Sequence, residues 1–221
     1  DFEVAMGLST PENLLNQNSF GYVIEMESEV PSALNSLNSL ESKLAISRPA
    51  PLPLEWLQET TGLAQDALTT MVDAITGASP QIILAGPPGT SKTWVARQLA
   101  LFLTRNRPDQ IRFVQFHQSY SYESFIEGLR PVTKDNAVGF ELKPGVVLDV
   151  VEGMRRADAI DSSEDEYVIV IDEANRANLP RVLGELMFLF EYRGEVAHLQ
   201  YSGQFSLPKN LRFIATMNTA D

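Results

Sequence analysis

The sequence predicts an α/β fold built on a parallel sheet with flanking crossover helices. After Pro80, short apolar runs alternate with segments of helical periodicity, which is the pattern of strands joined by crossover helices. One run, 167–171, is apolar throughout, as expected for a strand that is covered on both faces. Hydrophobic residues make up 44% of the 221 residues and charged residues 21%, so the chain has the composition of a folded globular protein.

The predicted elements follow one another from residue 54 to residue 217. Strands of the parallel sheet are expected over 81–85, 112–116, 167–171 and 212–217. Helices are expected over 54–75, 92–104, 122–128, 146–157 and 180–192. Two further stretches contain turn-forming residues between short strand-like runs and are predicted to be β-hairpin insertions, over 131–142 and 196–206.

Residues 1–53 are predicted to be a linker or N-terminal arm, and residues 54–221 the α/β core. The first segment mixes Ser, Asn and Pro with short apolar pieces and ends in Pro49, Pro51 and Pro53, a composition typical of linkers. Because the sequence starts at Asp1 rather than at an initiator methionine, we expect further protein before it.

Composition and charge exclude several classes of function. The chain has no cysteine, and His117 and His198 are its two histidines, so thiolate sites, disulfide scaffolds and histidine-rich metal sites are excluded. Apolar runs fall short of the roughly 18 residues of a membrane span, and a signal peptide is not recognisable, so we expect a cytoplasmic protein without membrane contact. The net charge of −12 disfavours a broad grip on nucleic acid, so we expect DNA contacts to be made mainly by other domains or a partner.

A glycine-rich loop follows the first predicted strand directly. Residues 86–93 read GPPGTSKT and match G-x-x-x-x-G-K-[ST], except that Ser91 stands in place of the second glycine. Between a strand and a helix, the N–H groups of such a loop point at one anion, so this loop is predicted to bind a nucleotide through Gly86, Pro87, Pro88, Gly89, Thr90, Ser91, Lys92, Thr93 and Trp94. Ser91 suits this cradle if its φ is negative, because a positive φ is strained for serine.

Two residues of this loop are predicted to act on the bound phosphates. Lys92 is expected to reach the β- and γ-phosphate oxygens as a point charge, and the hydroxyl of Thr93 to ligate Mg²⁺. The alternative is a strand-to-helix turn that is merely rich in glycine and proline.

A pair of acids ends the most apolar predicted strand. Asp172 and Glu173 follow YVIVI, at the carboxyl edge where open α/β sheets bind their ligands. Asp172 is predicted to hold Mg²⁺, and Glu173 to orient or deprotonate the water that attacks the γ-phosphate. The alternative is that both acids cap the helix that follows.

A polar side chain ends the last predicted strand as well. Asn218 closes RFIATMN and is expected at the same sheet edge as the acids. Its amide is suited to donate to the γ-phosphate or to hold the attacking water. The alternative is an asparagine that only turns the chain at the end of a strand.

Four blocks are spread over residues 81–221: GPPGTSKT, FHQSYSYESFIEGLRP, IDEANRANLPRVLGELMFLFE and ATMNTAD. Together they resemble the AAA+ NTPases, and specifically the McrB-like motors of modified-cytosine restriction systems. The resemblance implies that Lys92 and Thr93 are the Walker A pair, Asp172 and Glu173 the Walker B pair, and Asn218 the sensor on the γ-phosphate side. It also implies that Asn175 and Arg176, in DEANR, lie near a subunit boundary.

The resemblance further implies an activity and an assembly. The expected activity is Mg²⁺-dependent hydrolysis of GTP or ATP by a homo-oligomeric ring, expected to be a hexamer, which powers a McrC-like restriction nuclease. The two hairpins resemble insertions that face the centre of such rings, although they also fit inert surface hairpins. The helical lid that follows NTAD in this family is expected to lie outside these 221 residues.

Two other functions fit the same sequence. A MoxR-like AAA+ chaperone shares the DE-x-NR block and remodels proteins rather than DNA. A nucleotide-binding scaffold without hydrolysis is conceivable because Ser91 departs from the usual loop, but Glu173 and Asn218 argue against it. The ending MNTAD and the block FHQSYSYESF favour the McrB-like motor.

Overall fold

A computed structural model describes residues 49–77, 80–134, 137–162 and 164–219. From residue 50 onward, these residues belong to one compact unit. Residues 1–48 of the predicted arm lie outside the described residues, so that assignment stays a prediction. Within the described ranges, no helix is both long and apolar enough to cross a membrane.

The described chain forms eight strands and seven α-helices. The strands are β1 Gln81–Gly86, β2 Ile111–Gln115, β3 Glu127–Lys134, β4 Ala137–Pro144, β5 Tyr167–Asp172, β6 Ala197–Leu199, β7 Gly203–Phe205 and β8 Leu211–Asn218. The helices are α1 Leu54–Thr61, α2 Gln65–Thr76, α3 Lys92–Leu103, α4 Tyr122–Phe125, α5 Val146–Arg156, α6 Leu179–Leu183 and α7 Leu186–Glu191. Short 3-10 turns at Pro108–Gln110 and Ala174–Arg176 precede β2 and α6.

The predicted parallel sheet is confirmed. Its strand order is β1-β8-β5-β2, and all three neighbouring pairs run parallel. Each of the four strands begins and ends within one residue of its predicted bounds. Strand β8, the last in sequence, lies between β1 and β5, so the carboxyl ends of these three parallel strands share one edge.

The sheet is covered by apolar side chains on both faces, as the run 167–171 predicts. Val168 and Val170 pack with the helices α1, α2 and α3 on one face. Ile169 and Ile171, which point the other way, pack with α5, α6 and α7. Side chains alternate along a strand, so a strand with a helix layer on each side must be apolar at every position.

The predicted helix over 54–75 is two helices. Gly62 follows α1 with a φ of 70° and donates its N–H to the carbonyl of Gln58, at 2.8 Å, which closes the helix. A glycine takes this left-handed conformation without steric cost, so it is a natural helix end. The chain restarts as α2 at Gln65.

The prediction of a helix over 122–128 is wrong beyond Phe125. From Glu127 the chain runs as β3, which pairs with β4 over a longer hairpin than the predicted 131–142. At Gly128 the strand passes so close to α4 that a Cβ would lie 2.4 Å from the Cβ of Glu123. The turn at residues 135–136 lies outside the described residues.

The predicted helix over 180–192 is interrupted at Gly184. This residue has φ 47° and ψ −124°, a combination open to glycine, and separates α6 from α7. The ring of Tyr122 lies against it, 2.8 Å from where a Cβ would stand. The second hairpin, predicted over 196–206, is present as the shorter pair of β6 and β7.

Candidate active site

The predicted site residues converge at the carboxyl edge of the sheet. Gly86 of β1 lies opposite Asn218 of β8, and Asp172 ends the strand on the other side of β8. An open cavity of about 270 Å³ lies over this edge. The described residues that line it are Pro88, Gly89, Thr90, Ser91, Lys92, Thr93, Glu173, Thr216 and Asn218.

The glycine-rich loop joins β1 to α3, and two of its side chains donate hydrogen bonds to one backbone carbonyl of the loop. The Oγ1 of Thr90 donates to the carbonyl oxygen of Pro87 at 2.9 Å, and the Nζ of Lys92 donates to the same oxygen at 2.7 Å. The ammonium group of Lys92 is thus held at the mouth of the loop, beside the first turn of α3. Loop and helix N-terminus together present N–H donors and one cation to an anion.

Ser91 has a positive φ of 59°, the strained conformation for a serine, rather than the negative φ that suits it. Left-handed backbone costs a residue with a Cβ about 1–2 kcal/mol. Gly89, which also has a positive φ, and the first turn of α3 lie on either side of Ser91. The serine side chain makes no capping hydrogen bond with the helix, so its contribution to the cradle is its backbone N–H.

Thr93 and Asp172 meet across the sheet edge. The Thr93 hydroxyl donates to Oδ1 of Asp172 at 2.7 Å. That bond uses the single donor of the hydroxyl and leaves its lone pairs for a cation. A hydroxyl and a carboxylate fit Mg²⁺, which is usually held by one or two protein oxygens, water and substrate phosphates. The described residues contain no cluster of three or more His, Cys, Asp or Glu that could hold a metal ion alone.

The carboxylate of Glu173 faces the cavity and is held by two neighbours. The Asn218 amide donates to both of its oxygens, at 3.0 Å each, and Nε of Arg176 donates to Oε2 at 3.1 Å. Glu173 makes no side-chain capping bond to the turn that follows it, and Asp172 accepts from Thr93 and Thr216. The geometry therefore speaks against acids that only cap a helix.

Asn175 and Arg176 form hydrogen bonds with Asn218 and Glu173 of the same chain. The Nδ2 of Asn175 donates to the backbone carbonyl of Asn218 at 3.1 Å, while its buried Oδ1 lacks a hydrogen-bond partner. The Arg176 side chain is about half exposed and pairs with Glu173. Their predicted place at a subunit boundary stays a prediction.

Thr216 belongs to the site although the sequence interpretation missed it. The residue is 2% exposed, and its hydroxyl donates to Oδ1 of Asp172 at 2.7 Å. It also accepts the backbone N–H of Glu173 at 3.2 Å. Strand alternation was the available signal, because Thr216 lies two residues before Asn218 and therefore on the same face of β8.

Three residues predicted to bind nucleotide do not line the cavity. The half-exposed Trp94 points toward the end of α1 and donates its indole N–H to the carbonyl of Thr60 at 3.3 Å. The carbonyl of Gly86 accepts the N–H of Thr219 at 3.1 Å, which joins β1 to the end of β8. Pro87 contributes the carbonyl on which the loop closes.

Comparisons with known proteins place the sequence in a family. The sequence pattern of the AAA domain (dynein-related subfamily) matches residues 81–221. The chain is 47% identical over 149 residues to the Type IV methyl-directed restriction enzyme EcoKMcrB subunit of Escherichia coli (strain K12). That match covers 63% of this chain and 30% of the relative, so the chain spans less than a third of the relative's length.

A solved structure shows a weaker likeness. It is that of a candidate ATPase from Cytophaga hutchinsonii ATCC 33406, with a TM-score of 0.44 and 17% identity, and it covers 87% of this chain and 48% of the other. A likeness of this size supports no conclusion about function.

The family match covers the whole of the sheet and every residue of the cavity. The chain is similar to the McrB subunit, as the four sequence blocks predict. The chain therefore belongs to the AAA domain (dynein-related subfamily) family.

Proposed function

We propose that this chain is the nucleotide-hydrolysing core of a McrB-like AAA+ motor, which binds GTP or ATP with Mg²⁺ over residues 86–93. One observation carries the proposal: Thr93, Asp172, Thr216, Glu173 and Asn218 form one hydrogen-bonded chain along the edge that faces the phosphate loop. A phosphate anchor, a hard-cation site and a base thus lie beside one cavity.

The loop residues anchor the nucleotide in this proposal. The N–H groups of the loop and the first turn of α3 would bind phosphate oxygens, and Lys92 would exchange the Pro87 carbonyl for a phosphate oxygen. Thr93 and Asp172 would hold Mg²⁺, which would supply positive charge to neutralise the phosphates.

Glu173 and Asn218 act on the attacking water. Both oxygens of Glu173 accept from the amide of Asn218, which fixes the carboxylate at the rim of the cavity. A water that binds between these side chains and the γ-phosphate would donate a proton to Glu173 and be oriented by the asparagine. Arg176 must then share Glu173 with that water, which connects this arginine to the timing of hydrolysis.

The composition of the cavity favours assembly into a ring, for which we propose a hexamer. Of the described residues that line the cavity, Lys92 alone carries a positive charge. Phosphoryl transfer builds up negative charge that such enzymes neutralise with an additional arginine, supplied by the same chain or by a partner protein. A neighbour that covers the open side of the cavity would supply this cation, so the chain alone should hydrolyse poorly.

The role of the motor in the cell is proposed from the relative. The similar Escherichia coli protein is a subunit of a methyl-directed restriction enzyme, so we propose that hydrolysis here powers a McrC-like nuclease partner. The net charge of −12 supports DNA contact through other domains or that partner rather than through this chain.

Calorimetric titration of the chain with ATP and with GTP, each with and without Mg²⁺, tests the proposal. We expect at least one triphosphate to bind and Mg²⁺ to strengthen its binding. Turnover in the full-length assembly should exceed that of this chain at concentrations at which the chain is monomeric. Failure of both triphosphates to bind would overturn the nucleotide site, and equal turnover by the monomeric chain would overturn the ring.

A further inference from the structure

Thr216 connects the two acids of the site through a single hydroxyl. Its Oγ1 donates to Oδ1 of Asp172 at 2.7 Å and accepts the backbone N–H of Glu173 at 3.2 Å. A threonine hydroxyl has one donor and two acceptor positions, so one group can serve both neighbours at once. The side chain is 2% exposed, so water has little access to replace either bond.

The hydroxyl acts where backbone pairing stops. The pairing of β5 with β8 ends at Ile171 and Ala215, one residue before Asp172 and Thr216. Beyond that point the N–H of Glu173 has no strand carbonyl to bind and donates to the side chain of Thr216 instead. Thr216 therefore extends the connection between the two strands by one residue, at the place where the site begins.

Glu173 needs such support because its backbone is strained. Its φ is 55° and its ψ 45°, a left-handed conformation that a residue with a Cβ rarely takes. Strained residues persist where surrounding contacts hold them in place. The bond from Glu173 N–H to Thr216 is one such contact, and the bond from Arg176 N–H to the carbonyl of Glu173, at 2.9 Å, is another.

We propose that Thr216 is a positioning residue for hydrolysis, whose hydroxyl holds the cation-binding carboxylate of Asp172 and the backbone of Glu173 in fixed relation. The proposal rests on the proposed function, since it concerns the same site. Oδ1 of Asp172 accepts from both Thr93 and Thr216, so loss of one donor frees the carboxylate to rotate. Loss of the same hydroxyl leaves the N–H of Glu173 without its partner and loosens the turn that aims the base.

The test compares Thr216→Val, which keeps the side-chain volume and removes the hydroxyl, with Thr216→Ser, which keeps the hydroxyl. Thr104→Val is the matched control, because Thr104 is equally buried and its hydroxyl donates to the carbonyl of Ala100, at 2.9 Å, away from the cavity. Three quantities are measured: amide exchange at Glu173 by NMR without nucleotide, calorimetric affinity for ATP and GTP with and without Mg²⁺, and single-turnover hydrolysis in the full-length assembly.

For Thr216→Val we expect exchange at the Glu173 amide to quicken by roughly tenfold or more, as local opening becomes easier. Affinity without Mg²⁺ should be unchanged, and the gain that Mg²⁺ brings should shrink. Hydrolysis of bound triphosphate should fall on the order of 10- to 100-fold, the loss expected from small misplacement of reacting groups. Thr216→Ser and Thr104→Val should both keep all three quantities at their wild-type values.

Wild-type behaviour of Thr216→Val, or equal defects in the serine and valine variants, would overturn the proposal. If the valine variant does not fold, the serine variant tests the proposal. Because Thr216→Ser keeps the hydroxyl, a defect in its hydrolysis or amide exchange would contradict the positioning role of the hydroxyl. A wild-type assembly that does not hydrolyse would overturn the proposed function instead, and amide exchange would still decide whether Thr216 holds Glu173.

Discussion

The side-chain amide of Asn218 donates to both carboxylate oxygens of Glu173, at 3.0 Å each. These residues are 45 positions apart in sequence: Asn218 ends β8, and Glu173 follows the last residue of the neighbouring strand β5. The pair brings the predicted base and the predicted sensor into direct contact. We infer that a γ-phosphate that attracts the amide of Asn218 would release one oxygen of Glu173 for water.

Glu173→Gln should separate chemistry from binding. Glutamine keeps an oxygen that can accept from Asn218 but is too weak a base to take a proton from water. We expect triphosphate affinity to be retained and single-turnover hydrolysis in the full-length assembly to fall on the order of 100- to 10,000-fold, the range for a positioned general base. Glu152→Gln, on the exposed face of α5, is the matched control. Hydrolysis by Glu173→Gln at the wild-type rate would show that another residue is the base.

Asp172→Asn should impair the cation site instead. The asparagine has one uncharged oxygen in place of a carboxylate, so Mg²⁺ should strengthen triphosphate binding less than in the wild type. Affinity without Mg²⁺ should change little, because the loop and Lys92 remain. Calorimetric titration at several Mg²⁺ concentrations measures the difference. An Asp172→Asn chain with the wild-type dependence on Mg²⁺ would contradict the assignment.

Lys92→Ala should weaken triphosphate binding. The ammonium group is held 2.7 Å from the Pro87 carbonyl, at the mouth of the loop, where it is placed to exchange that carbonyl for phosphate. Hydrogen bonds to charged groups contribute about 1.5–3 kcal/mol, so affinity should fall on the order of 10- to 100-fold. Lys143→Ala removes a lysine of β4 that pairs with Glu141, and it should bind like the wild type. Equal affinities for the two alanine variants would refute the role of Lys92.

Ser91→Gly should stabilise the loop or leave it unchanged, and Ser91→Val should destabilise it. A positive φ costs serine about 1–2 kcal/mol, while glycine loses about 0.5–1 kcal/mol through its freer unfolded chain, so the net gain is about 0–1.5 kcal/mol. A β-branched side chain fits this conformation worst. Urea denaturation measures both changes, and calorimetry follows triphosphate binding. A valine variant as stable as the glycine variant would show that the loop relaxes to a negative φ.

Gly184→Ala should destabilise the fold by about 1–3 kcal/mol, the usual cost of adding atoms to a packed site. A Cβ there would stand 2.8 Å from the ring of Tyr122, and the positive φ adds strain. Gly153→Ala is the matched control, because this helical glycine has open space around its Cβ position and should gain about 0.5–1 kcal/mol. Thermal denaturation compares the two. A Gly184→Ala chain at least as stable as Gly153→Ala would contradict the packing of Tyr122 on this glycine.

The sequence by itself determined the sheet, the phosphate loop and the two acids. The run 167–171 is apolar at every position because a strand between two helix layers has no exposed face, so its short length and apolar composition locate it. The loop at residues 86–93 is a local motif, which its residue types identify between a strand and a helix. Asp172, Glu173 and Asn218 follow strands, and the ends of parallel strands meet at one edge.

Only the tertiary structure showed where the predicted helices are interrupted and which residues distant in sequence are in contact. The helix predicted over 180–192 breaks at Gly184, on which Tyr122, about sixty positions earlier, packs, and the helix predicted over 122–128 ends at Phe125, before β3. Ser91 and Glu173 have a positive φ, which their residue types disfavour. Thr216 contacts Asp172 because β8, the last strand in sequence, lies between β1 and β5. Contacts between distant segments depend on that order, which local residue patterns do not encode.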